Sequence, residues 1–116
     1  MDIHKIYDVV IVGAGISGIS SASHIETYCN NIKYIVLENR DDLGGTWDLF
    51  KYPGIRSDSD MHTMGLKLFP WPGKKFLADG PSIKNYLNKA VDHFKIRKNI
   101  SFSKKVTSIN WNDSDS

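Results

Sequence analysis

Residues 6–18 read "IYDVVIVGAGISG", and the fold turns on how this stretch is parsed. Residues 6–12 are β-branched and nearly continuously apolar, the pattern of a strand buried in a parallel sheet. Gly13-Ala14-Gly15-Ile16-Ser17-Gly18 follows with G-x-G-x-x-G spacing. Alone that spacing is a weak signal; where it leaves a strand and opens a helix it is a strong one. Gly13 permits a tight turn, Gly15 leaves the backbone bare, and Gly18 lets the helix sit close to the strand. A helix starting here presents unpaired N–H groups and the positive end of its dipole, which favour an anion such as a pyrophosphate. Ser17 adds a hydroxyl donor.

Reading outward, Ile16, Ile19, Ala22 and Ser23 share one helical face, and Cys29-Asn30-Asn31 is the expected stop, since Asn tolerates the left-handed conformation. Residues 33–38, "KYIVLE", read as a second short strand, which completes a βαβ unit. Glu38 ends that strand, 20 residues after Gly18. A carboxylate there accepts hydrogen bonds from the ribose hydroxyls of an adenosine and repels a 2′-phosphate. Arg40 keeps an NADP alternative in view, against which Glu38 argues. These residues leave NAD and FAD both open, and a glycine-rich turn with no ligand is the competing structural reading.

Beyond the unit, residues 43–60, "LGGTWDLFKYPGIRSDSD", combine loop-forming glycines with three aromatic rings. Residues 57–60 can cap a short helix over 61–66. "FPWPG" at 69–73 excludes regular structure. Asp79, Gly80, Pro81 and Ser82 are start signals for a helix over 82–95, with Ile83, Leu87, Ala90, Val91 and Phe94 on one face. Ile100, Phe102 and Val106 suggest a strand that Ile109 and Trp111 continue after a slip in phase. The final "NDSDS" is expected to be exposed.

Composition sets limits. The 116 residues suffice for one domain, spanning 1–116, and carry a net charge of +2, too mild to imply nucleic acid. The basic spots at Lys74–Lys75, Lys95–Lys98 and Lys104–Lys105 lack the interleaved aromatics of a nucleic-acid surface. The single cysteine, Cys29, forbids an intrachain disulfide and is expected to be buried or inert. No stretch approaches the roughly 20 apolar residues of a membrane span, and residues 5–23 imitate a signal peptide only loosely, so a cytoplasmic chain is expected. His4, His24, His62 and His93 are scattered without metal-ligand spacing.

The motifs "GAGISG", "GGTWDLF.YPGIRSDSDM", "W.G…ADG" and "KV.S..W" fall in the order found in class B flavoprotein monooxygenases. The chain resembles their Baeyer–Villiger type, and within it the ethionamide monooxygenase subgroup, over nearly its whole length. The resemblance implies an α/β fold, the incomplete N-terminal portion of a Rossmann-like, three-layer FAD-binding domain. It implies FAD as cofactor, held by Gly13, Gly15, Ser17, Gly18 and Glu38. Gly45 and Thr46 would let the backbone approach the flavin side, Trp47 would pack by the isoalloxazine, and Asp48 and Leu49 would continue that wall. Arg56 and Asp58 match the loop between flavin and nicotinamide, with Asp58 orienting an arginine from a later segment. Val106 matches the strand residue whose backbone meets adenine.

For Trp47 a plain core anchor, for Tyr52-Pro53-Gly54 a common turn, and for Arg56 and Asp58 a surface ion pair are the competing readings. The resemblance further implies a longer enzyme that uses NADPH and O2 to insert one oxygen into ketones or onto sulfur or nitrogen, through a C4a-peroxyflavin. No second glycine fingerprint for NADPH lies within 1–116, and neither do the F-x-G-x-x-x-H-x-x-x-W fingerprint and the peroxyflavin-stabilising arginine that the resemblance places later in such an enzyme. The chain is therefore expected to contain no catalytic residue of its own, to bind flavin weakly, and not to turn over NADPH alone. A fragment of another two-dinucleotide flavoprotein, or a non-catalytic adenine-nucleotide module, is the alternative.

Overall fold

The computed structural model describes residues 5–73 and 77–115; His4, Lys74, Lys75 and Ser116 lie outside them. Strand β1, Val9–Val12, leads through the glycine turn into helix α1, Ile16–Tyr28, and then into strand β2, Tyr34–Leu37. Two short helices follow, α2 at Thr46–Leu49 and α3 at Met61–Met64, then the long helix α4 at Gly80–His93 and strand β3 at Ile100–Ser101. The sheet is parallel in the order β1-β2-β3, with Val9 opposite Tyr34, Val12 opposite Leu37, and Val36 opposite Ile100.

One sheet face builds the core. Val9, Ile11, Tyr34, Val36 and Ile100 pack with Ile19 and Ala22 of α1 and with Ile83, Leu87, Ala90 and Val91 of α4. The other face is barer: Val10 and Val12 are 50% and 56% exposed, so β1 is not buried on both faces as its sequence suggests. It is also shorter than 6–12, and Ile6 is exposed.

Helix boundaries follow local chemistry. α1 stops where Asn31 adopts φ 67°, as Asn permits. Asp60 caps α3 by accepting from Thr63 N at 2.8 Å, and Asp79 caps α4 by accepting from Ser82 N at 2.8 Å. Hence α4 starts two residues earlier than its apolar periodicity indicates, with Pro81 in its first turn.

Two expectations need correcting. The strand foreseen from Ile100 to Trp111 is only Ile100–Ser101, and Ile109 and Trp111 are 80% and 79% exposed. Beyond Ser101 no neighbouring strand among the described residues offers a ladder to 102–112, and β-branched composition without one does not make a strand. Cys29 is exposed rather than buried, because it sits just past the end of α1. Trp71, by contrast, packs on the core, its ring 5.1 Å from that of Tyr86.

Tyr86 fixes the turn-rich stretch that no regular element holds. Its hydroxyl accepts from Leu66 N at 2.8 Å and donates to Phe69 O, inside a cluster of Phe69, His93 and Phe94 rings. Burial pushes that phenol above its usual range. Tyr86→Phe keeps the ring and strands two backbone groups, so denaturant unfolding should show a loss of about 1–3 kcal/mol.

Candidate dinucleotide site

Two glycine segments meet backbone to backbone. Gly13 N donates to Leu37 O at 2.9 Å, tying the first turn to the end of β2. Gly44 N donates to Ala14 O at 2.9 Å, tying the second loop to the first. A Cβ on Gly18 would lie 1.9 Å from Gly13 O, so the start of α1 can reach the turn only without a side chain there. Gly45, at φ 55°, has the same constraint: a Cβ on it would sit 3.0 Å from Gly15 Cα.

The result is a cleft of about 280 Å³ that brings together the predicted Gly13, Gly15, Ser17, Gly18, Gly45, Thr46 and Trp47. The N-cap of α1 is Gly15, with no side-chain cap and no acidic residue in the first turn. Its leading N–H groups therefore remain open to an anion.

Glu38 closes one end of this arrangement. Its residue is 6% exposed, and its carboxylate accepts from Ala14 N and from Arg40 N, both at 2.8 Å. An ionised carboxylate has about four acceptor sites, so two remain for hydroxyl donors.

Asp48, drawn into a cofactor wall by the resemblance, does not itself line the cleft. It is buried, and its carboxylate is held by Lys84 Nζ at 2.6 Å and by Arg40 Nε at 2.8 Å. Lys84 also meets Asp42 at 2.8 Å, and Lys51 approaches Asp48 at 3.6 Å. The hydrogen bonds from Lys84 and then Arg40 outweigh burial and hold the Asp48 carboxyl down to about 2. Contact with Asp42 and Asp48 raises the Lys84 ammonium above its usual range.

Trp47 and Arg56 also line a second, larger cleft of about 930 Å³ between the 50–56 loop and the start of α4. Arg56 is exposed and bridges by its backbone to Asp79. Asp58 is exposed, and no ion pair between it and Arg56 occurs among the described residues. Leu49, 52% exposed, Asp58 and Val106 line neither cleft.

The sequence profile of the NAD(P)-binding Rossmann-like domain matches residues 11–89. The chain belongs to this family. As an NAD(P)-binding Rossmann-like chain it is 54% identical over 109 residues to the FAD-containing monooxygenase EthA of Mycolicibacterium smegmatis, a match covering 94% of this chain and 22% of that protein. It is 48% identical over 107 residues to the probable FAD-binding monooxygenase AlmA of Acinetobacter baylyi, covering 92% and 22% respectively. Among solved structures it matches OTEMO in complex with FAD and NADP at a TM-score of 0.82 and 31% identity, over 93% of this chain and 21% of that one. Oxidised steroid monooxygenase bound to NADP matches at 0.75 and 29%, over 84% and 19%. The Rossmann-like chain thus spans about a fifth of the length of these relatives.

Lys84 is the member of this site that sequence reading missed. It lies 36 residues from Asp48, on a helix face chosen by tertiary packing, and no local spacing marks it. The pair carries a pH signature. The folded carboxyl of Asp48 titrates near 2 against an ordinary 3.8, so its contribution is complete above about pH 4 and lost as pH falls through 2. Asp48→Asn should lower stability at pH 7 by about 2 kcal/mol and flatten the decline between those pH values, read by denaturant unfolding at stepped pH.

Proposed function

We propose that this chain holds FAD as part of an NADPH-dependent flavoprotein monooxygenase, which inserts one oxygen atom of O2 into ketones or onto sulfur or nitrogen. The observation that carries the reading is the docking of the Gly13–Gly18 turn against Gly44 and Gly45 with a buried acid at the strand end. The matched relatives, named as a FAD-containing monooxygenase and a probable FAD-binding monooxygenase, support it. Because the chain spans about a fifth of them, the activity, the NADPH site and the small-molecule substrate pertain to a longer protein. A cytoplasmic location belongs to the same proposal. No helix among the described residues is long and apolar enough to cross a membrane.

The residues present fit the cofactor. A dinucleotide needs an anion site, a ribose acceptor and a bare approach for its flavin half. Here these are the uncapped start of α1, the spare acceptor sites of Glu38, and the side-chain-free surface at Gly15 and Gly45. Bound FAD would supply the redox and oxygen chemistry. Gly15, Ser17 and Gly18 would bind the pyrophosphate through the first turn of α1. Glu38 would orient the adenosine ribose, and Val106 would meet adenine through its backbone. Thr46 would offer a hydroxyl beside the flavin, and Trp47 a flat apolar face that excludes water. Asp48 and Leu49 would support that wall, Asp48 from behind through Lys84 and Arg40. Arg56 and Asp58 would face the nicotinamide and an arginine from the rest of the enzyme.

The reading is tested by titrating the purified chain with FAD and following flavin fluorescence. Saturable binding is expected, weakened at least about tenfold in Glu38→Ala by loss of charge-assisted hydrogen bonds. Absence of binding, or equal binding by both proteins, would contradict it.

A further inference from the structure

We propose that Asp48 determines specificity at the adenosine end of the site: by holding Arg40 it keeps the guanidinium from serving a ribose 2′-phosphate, so that the site takes an unphosphorylated adenosine. This rests on the reading of Glu38 as the ribose acceptor.

Arg40 starts from the rim of that subsite, since its backbone N–H donates to Glu38 Oε2 at 2.8 Å. An arginine in this position is the group that accommodates a 2′-phosphate in sites that accept one. Here its Nε donates instead to Asp48 Oδ2 at 2.8 Å. Asp48 cannot follow Arg40 towards a ligand. Its side chain is 3% exposed, and its other oxygen is held by Lys84 at 2.6 Å. Lys84 is fixed in turn by Asp42.

The Arg40 side chain keeps 37% exposure, so its route to a ligand at the rim is open once Asp48 releases it. Neutralising Asp48 would free Arg40 alone, because Lys84 would retain Asp42. Discrimination against a 2′-phosphate thus has two separate sources. Glu38 repels the phosphate directly, and Asp48 withholds the cation that would offset that repulsion.

The test compares calorimetric binding of 5′-AMP and adenosine 2′,5′-bisphosphate, which differ only in the group at issue. The unsubstituted chain should favour AMP by about tenfold or more. Asp48→Asn should shift the bisphosphate-to-AMP affinity ratio about tenfold towards the bisphosphate, and adding Arg40→Gln should abolish the gain. Arg40→Gln alone should leave bisphosphate affinity within about twofold, because Arg40 is not serving that group.

An unchanged ratio in Asp48→Asn, a gain that survives Arg40→Gln, or a fall in bisphosphate affinity on Arg40→Gln alone would each overturn the proposal. Should circular dichroism show Asp48→Asn unfolded, the Arg40→Gln arm decides by itself. A chain that binds neither nucleotide nor FAD would overturn the dinucleotide reading and this inference with it.

Discussion

The hydrogen bond from Ala14 N to the buried Glu38 carboxylate ties together everything that follows from the first turn. It joins groups 24 residues apart, the glycine turn after β1 and the end of β2. With Gly13 N on Leu37 O, it sets the turn at a fixed height above the sheet. Gly44 can then reach Ala14 O, and the second loop lands against the first. A buried charge must be satisfied, and here it is satisfied by backbone donors that the fold has to place. The residue that would read a ribose is therefore also one that shapes the cradle.

A second layer of charge holds the loop from behind. α2 is a single turn with little propensity to persist alone. Asp48 anchors it to α4 through Lys84 and to the strand exit through Arg40. Thr46 and Trp47 thereby stay on the cleft while Asp48, the next residue, is buried. The rings at Phe50 and Tyr52 are 48% and 60% exposed, and with Trp47 they border the larger cleft. Phe50 and Tyr52 in this glycine-rich loop thus serve a surface, while Trp47 is half-buried and also packs against the core.

Much of this was legible in the residues. The βαβ unit, the glycine turn and Glu38 followed from spacing, because local backbone constraints dictate them. Helix α4 followed from periodicity and its Asp79 cap. Residues 102–112 misled, because β-branched and aromatic side chains mark a strand only where a neighbouring strand offers a ladder. The Asp48–Lys84 pair left no trace, since nothing local relates positions on two different elements. The resemblance draws Asp48 into a cofactor wall beside Thr46 and Trp47; that its carboxylate turns towards Lys84 and Arg40 is set by packing, since a one-turn helix sends adjacent side chains in different directions.

The central claim is that the two glycine segments form one dinucleotide cradle. Amide chemical shifts of the chain during titration with FAD test it most directly. The account predicts concerted shifts at Gly15, Ser17, Gly18, Gly45 and Thr46 with a shared midpoint, while amides in the last turns of α1 and α4 stay still. Shifts confined to one glycine segment, or two segments with different midpoints, would contradict it.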